Sequence, residues 1–153
     1  MHDPRKQVAK SLYKDIPQNA CVLAYNKFFE RDRIKELAKL YSTKRKKFET
    51  ISNNIKDLID PFSQGFVYNK NMGNSLSIKS VLPALYPDDK SLNYENLNGV
   101  QNGNEAMTLF PKMKNMSEDE RKIARKNLLE YCKLDTFAMV KIFEFLEQNK
   151  QEN

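Results

Sequence analysis

Apolar residues recur at helical spacing along most of the chain and run together in one place. Behind Pro4, the positions Val8, Ala9 and Leu12 share one helix face, so the spacing predicts a short helix over residues 4–14. The turn-prone Ile16-Pro17-Gln18-Asn19 follows, and then Ala20-Cys-Val-Leu-Ala-Tyr25, continuous where an amphipathic strand would alternate. Such a run fits a strand covered on both faces in a parallel sheet. After Asn26, the residues Phe28, Phe29, Ile34, Leu37, Ala38 and Tyr41 return at intervals of three and four, predicting a helix over 27–41. Strand followed by helix is half of a βαβ unit.

A further helix is predicted over 44–55 from Phe48, Ile51 and Ile55, leading into Asp57-Leu-Ile-Asp60-Pro61, where the proline stops it or starts a turn. The pattern is weaker from there to Pro111. Phe66-Val-Tyr68 reads as a short strand, Ser77 as the cap of a helix through Ile78, Val81, Leu82 and Leu85, and Asn104 as the cap of a helix over 105–110. Asn98-Gly99 and Asn102-Gly103 are turn signals. Ser117-Glu-Asp-Glu120 is a capping-box sequence. The stripes that follow it, one through Ile123, Leu128, Tyr131 and Cys132 and one through Phe137, Ala138, Ile142, Phe143 and Leu146, predict two helices meeting near Leu134 and Asp135. A frayed tail is expected over 148–153.

The 153 residues, 40% hydrophobic and 30% charged, suit one domain with a sizeable core. The longest apolar run is far below the roughly 18 residues that span a bilayer, and no signal-peptide core follows the N-terminus, so a cytoplasmic protein without membrane contact is expected. Cys21 and Cys132 read as small buried hydrophobes of a reducing compartment. The one histidine is His2, at a terminus expected to fray, which speaks against a Ser-His-Asp triad, a Cys-His pair or an imidazole-ligated zinc site. Catalysis would rest on carboxylates, hydroxyls, phenols or amines. Net charge is +6, and residues 1–50 hold 13 Lys or Arg against 6 Asp or Glu. That excess favours a polyanion partner, while Lys44-Arg45-Lys46-Lys47 also reads as a solvated helix face.

In open α/β sheets ligands gather beyond the carboxyl ends of strands, which puts Asn26 and the first helical turn to Glu30 where chemistry is usually built. Glu30 is a candidate ligand; equally, Asn26 caps the helix and Glu30 is a solvated carboxylate near the positive dipole end. Tyr131 and Asp135 are four apart, so a phenol and a carboxylate can share one side of a helix. The plain alternative is a core tyrosine beside an aspartate that caps the last helix.

Together these blocks resemble a family. Asn26-Lys-Phe-Phe29-Glu30 after an apolar strand, Ser75-Leu-Ser-Ile-Lys-Ser-Val-Leu82, and Tyr131-Cys-Lys-Leu-Asp135-Thr-Phe-Ala-Met139 look like successive motifs of the DEDD exonucleases, in the variant with Tyr-x-x-x-Asp as its last motif. The chain is also similar to an uncharacterised bacterial branch, a domain of unknown function of the same exonuclease-like fold. The resemblance covers about residues 4–147. It implies an α/β, ribonuclease H-like fold and 3′ to 5′ hydrolysis of nucleic-acid phosphodiesters with Mg²⁺ or Mn²⁺. By it, Asp135 and Glu30 are metal ligands, Tyr131 orients the attacking water, Asn26 supports the ligands or faces the substrate, Lys79 is structural or faces a phosphate, and Lys27 faces the DNA or RNA strand, which is expected to be single. Glu30 departs from the family's aspartate by one methylene, which puts the second metal's geometry in question.

The family's first motif, Asp-x-Glu on an early strand, occurs nowhere in this sequence. The expectation is therefore an incomplete, helix-rich version of the fold, the C-terminal portion of an exonuclease-like domain, without activity by itself because two ions need more carboxylates than remain. Missing strands would leave the edge of the strand at residues 20–25 unpaired, and a homo-oligomer through that edge is expected. The competing readings are a non-catalytic nucleic-acid-binding or adaptor module on the same fold, and a mainly helical interaction domain.

Overall fold

A computed structural model describes residues 3–150, which divide into two compact units with the boundary after Pro61. His2 and the last three residues of the expected frayed tail lie outside the described residues.

The first unit runs α1 (Arg5–Asp15), β1 (Val22–Ala24), α2 (Lys27–Leu40), α3 (Arg45–Asn53) and β2 (Ile55–Asp57). β1 and β2 are parallel, with Val22 opposite Ile55 and Ala24 opposite Asp57. The two helices between them form the crossover that parallel strands require, and α2 packs on α3. Ala9, Ala24, Ile34, Leu37, Ala38, Phe48, Ile51 and Ile55 are buried together as the core. Against the α3 end, Tyr13 of α1 meets Phe48 edge-on, with ring centroids 6.3 Å apart.

β2 departs from the predicted pattern. Ile55 continues the helical spacing of Phe48 and Ile51, yet α3 ends at Asn53, where the Asn54 N–H donates to the Thr50 and Ile51 carbonyls. Ile55 then enters the sheet, because β1 offers it a ladder of hydrogen bonds that periodicity does not register: Val22 N–H donates to Asn54 O, and Leu58 N–H to Ala24 O at 2.8 Å. β1 is shorter than its apolar run, and Val22 and Leu23 are only half-buried. Cys21 lies ahead of the strand and is exposed, as is Cys132, so neither is the buried hydrophobe expected.

After the short α4 (Asp60–Ser63), in which Pro61 sits in the first turn, the second unit holds α5 (Ile78–Leu85), α6 (Gly103–Lys112) and α7 (Glu118–Gln148), joined by one-turn 3₁₀ segments. Phe66-Val-Tyr68 forms no strand; both aromatics are exposed, and no neighbouring strand pairs with the segment. Ser77 caps α5 as predicted, accepting from Lys79 N–H. Asn102, not Asn104, caps α6, taking the Glu105 N–H at 3.0 Å. At Gly99 the backbone has φ +78, and a Cβ there would press against the Asn127 side-chain amide on α7. The positive φ is what favours glycine at that turn.

The capping box at Ser117 forms in full, with Ser117 and Glu120 each bonding the other's backbone N–H. α7 then runs unbroken through Leu134 and Asp135, where two helices were expected to meet. No Gly or Pro interrupts its 31 residues. The Asp135 carboxylate takes a tyrosine hydroxyl in place of local backbone, which removes the competition that ends helices at aspartate. α5 and α6 pack on α7, burying Val81, Leu82 and Ala84 of α5 with Ala124, Leu134, Ala138 and Ile142 of α7. The molecule is thus helix-rich with a small two-stranded parallel sheet, compatible with the α/β class. Among the described residues, no helix is long and apolar enough to cross a membrane.

Candidate functional site

The sequence-predicted residues fall into two groups, one in each unit. In the first, β1 ends at Ala24 and the chain turns through Asn26 into α2. Asn26 adopts the left-handed conformation, φ 69 and ψ 63, which asparagine tolerates better than most residues. Its side chain makes no cap. The cap comes from the neighbouring strand: Asp57, buried at the end of β2, accepts the N–H of Asn26 at 2.9 Å and of Lys27 at 2.8 Å. It also takes the Ile59 N–H at 3.2 Å. One carboxylate thereby ties the first turn of α2 to the carboxyl ends of both strands and places negative charge at the helix's positive end. Burial, with the Asp57 charge adding to it, pushes the Tyr25 phenol well above its usual range.

Glu30 sits half-buried on the first turn of α2, and Asn26 is exposed. The Lys27 ammonium pairs with Asp60 at 3.0 Å, so its charge is already matched. Phe28 and Phe29 are exposed on the same turn, with the Arg33 guanidinium 5.6 Å from the Phe29 ring centre.

In the second unit the constellation is denser. Tyr94, buried, donates its hydroxyl to Asp135 Oδ1 at 3.0 Å. Its ring lies 6.2 Å from that of Tyr131, and the Lys79 ammonium stands 5.4 Å from its centre. Asp135 is half-buried, one turn along α7 from Tyr131. Burial first, then the Asp135 charge, raise the Tyr131 phenol to about 12, and the same causes push Tyr94 higher still. Both phenols are therefore neutral hydrogen-bond donors at ordinary pH. Gly103 opens α6 beside Tyr131, where a Cβ would sit 3.7 Å from the phenol oxygen. Glu105 adds a carboxylate, held in its charged form first by the Gln101 N–H at 2.7 Å and feeling the Lys79 charge.

Tyr131, Asp135 and Lys79 are thus brought together within the second unit, and Asn26, Lys27 and Glu30 lie together within the first. Asp57, Tyr94 and Glu105 were missed. Asp57 was hidden because its strand read as the end of a helix, and Tyr94 and Glu105 fall in the stretch where periodicity is weak. For the metal ions implied by the resemblance, the donors here are insufficient. Asp135 and Glu105 are two carboxylates among phenols and an ammonium, and among the described residues no group of three or more His, Cys, Asp or Glu side chains could hold a metal ion. These residues do not fit a two-metal centre by themselves.

A family model described as "Domain of unknown function (DUF2779)" matches residues 1–77. The chain is similar to "Uncharacterized protein MG366" of Mycoplasma genitalium, 28% identical over 158 residues that cover 97% of this chain and 24% of that protein. It is likewise similar to "Uncharacterized protein MG366 homolog" of Mycoplasma pneumoniae, 28% identical over 152 residues, covering 93% of this chain and 23% of the relative. The chain therefore spans about a quarter of the length of the curated relatives it matches. No solved structure matches it.

Proposed function

Because this chain belongs to the family described as "Domain of unknown function (DUF2779)", its chemistry has to be argued from its own side chains, and we propose that they serve an exonuclease-like, ribonuclease H-like domain acting on nucleic-acid phosphodiesters. The observation that carries the reading is the Tyr94–Asp135–Tyr131 constellation. A half-buried carboxylate is oriented by one buried phenol, and a second phenol, kept protonated, stands one helical turn away. A neutral phenol donates a hydrogen bond to water or to a phosphate oxygen, and the carboxylate accepts a proton from the attacking water or holds a cation. The placement of Asn26 and Glu30 just beyond the end of a parallel strand supports the same reading, since ligands gather there in α/β sheets.

In this reading Tyr131 orients the nucleophile, Asp135 contributes a carboxylate and Lys79 faces the strand within the second unit, while Glu30, Asn26 and Lys27 serve the group of the first unit. Mg²⁺ or Mn²⁺ would supply charge stabilisation only with carboxylates beyond these. A cytoplasmic setting goes with a nucleic-acid substrate. The alternative, a binding or adaptor module, is favoured by one observation: the Lys44 and Lys47 ammonium groups converge on the Tyr13 ring, 4.4 and 4.6 Å from its centre, within the basic N-terminal region.

The test uses 5′-labelled single-stranded DNA and RNA with Mg²⁺ or Mn²⁺, on this chain and on a polypeptide that adds an Asp-x-Glu strand ahead of it. The expected result is no degradation by the chain alone, shortening from the 3′ end by the longer protein, and loss of that activity in Asp135→Asn. Salt-sensitive binding without degradation by either protein would favour the module, and activity unchanged in Asp135→Asn would refute the assignment of Asp135.

A further inference from the structure

The last turn of α1 ends against a proline. In an unbroken helix the Tyr13 carbonyl would accept from the N–H four residues on, but Pro17 has none. The Lys47 ammonium, reaching over from α3, donates to that carbonyl in its place. The head of Lys47 is thereby fixed 4.6 Å from the centre of the Tyr13 ring, and Lys44, just ahead of α3, brings a second ammonium to 4.4 Å from the same centre. Phe48 holds the ring from its other side, edge-on. Both lysines are half-buried, unlike an ordinary solvated lysine.

Packing explains where these heads sit and leaves their charge unmatched. Only one of the three donors of Lys47 goes to the Tyr13 carbonyl. The ion pairs of the first unit lie elsewhere, Arg5 with Asp3, Lys27 with Asp60 and Arg33 with Glu36, and among the described residues no carboxylate pairs with Lys44 or Lys47. Two ammonium groups on one aromatic ring repel each other, and the ring offsets that only in part. An anion lying across both would offset the rest. α1 extends the same positive edge, because Lys6, Lys10 and Tyr13 are spaced by four and three residues and so share one flank of the helix. Lys6 and Lys10 are exposed, without an ion pair among the described residues, and about 6 Å apart along the axis. Cations repeated along an edge suit a partner whose negative charges also repeat, more than a single small anion.

We infer that the α1–α3 edge, with Lys44 and Lys47 on Tyr13 at its centre and Lys6 and Lys10 beyond them, binds the phosphate backbone of a nucleic-acid strand. The inference rests on the nucleic-acid reading above and adds a surface apart from both groups of candidate site residues. Contacts there go to phosphate, so the surface holds a strand without reading its bases.

Fluorescence anisotropy of labelled oligothymidylate and oligouridylate, titrated with the 153-residue chain over a salt series, tests it. Lys44→Gln with Lys47→Gln should weaken binding by more than about tenfold at about 0.1 M salt. The slope of log affinity against log salt should flatten by about 1.4, at about 0.7 per phosphate contact for single strands. Lys6→Gln with Lys10→Gln should give a loss of the same kind, and since both side chains are exposed, it covers the case in which the first pair disturbs the packing around Tyr13. Lys122→Gln with Lys126→Gln on α7 removes the same charge from another surface and should leave affinity and slope unchanged. Binding that all three double variants weaken alike, or that none of them weakens, would overturn this surface and leave the nucleic-acid reading standing. No binding to either oligonucleotide at low salt, or capture of the chain by phosphatidylserine vesicles and not by the oligonucleotides, would overturn both.

Discussion

Asp57→Asn removes one charge and almost no volume at the point where both strands and α2 converge. In the native protein the two carboxylate oxygens serve three backbone donors: Asn26 and Ile59 on Oδ1, Lys27 on Oδ2. Asparagine keeps one oxygen for the first two and turns an amide NH₂ toward the Lys27 N–H, so donor faces donor. A hydrogen bond to a charged acceptor contributes about 1.5–3 kcal/mol and a neutral one about 0.5–1.5. One of the former is lost and two become the latter, while the helix terminus loses a favourable charge of about 0.3–1 kcal/mol. Because Asp57 is only 7% exposed, water does little to compensate. These contributions sum to about 4–7 kcal/mol and overlap, because the helix-end charge acts through the same N–H groups, so a destabilisation of at least about 3 kcal/mol follows, which lowers the urea midpoint by more than about 1 M at an ordinary m-value. Amide hydrogen exchange gives the sharper readout, because Asn26 and Lys27 should lose protection before the rest of α2 does. If the variant lies within about 0.5 kcal/mol of the native protein, the scatter of ordinary surface substitutions, and both amides keep their protection, the claim that Asp57 holds the turn is wrong.

In the second unit, Tyr94→Phe removes the hydroxyl donated to Asp135; a loss of about 1–2 kcal/mol in denaturant titration is expected, at the low end for a charged acceptor because Asp135 is half-buried and partly rehydrates. The Tyr131 phenol should ionise near pH 12 in ultraviolet difference titration, against 10.0 for an unperturbed tyrosine, and Asp135→Asn should move it part of the way down. The folded state holds that proton more tightly than the unfolded one, so the contribution is intact below pH 10 and disappears as pH rises through about 12. Titration of every tyrosine near pH 10 in the native protein would contradict the environment assigned to Tyr131.

Local pattern determined much of this protein. The helical faces of α1, α2 and α5, the strand at β1, and the caps at Ser77 and Ser117 were readable, because spacing and capping chemistry act within a few residues. Tyr131 and Asp135 were readable as neighbours for the same reason, since four residues is one helical turn. The tertiary structure alone decided what lies far apart along the chain. β2 exists only because β1 offers it hydrogen bonds, so Ile55 leaves a helical pattern that its own neighbours support. Asp57 reaches back more than two dozen residues to cap α2, and Tyr94 reaches forward to Asp135, which keeps α7 continuous where the sequence alone suggested an end. Periodicity records which side of an element faces inward, but it carries no information about which distant group supplies the missing hydrogen-bond partner; in this chain those partners set the register of the sheet, the start of one helix and the continuity of another.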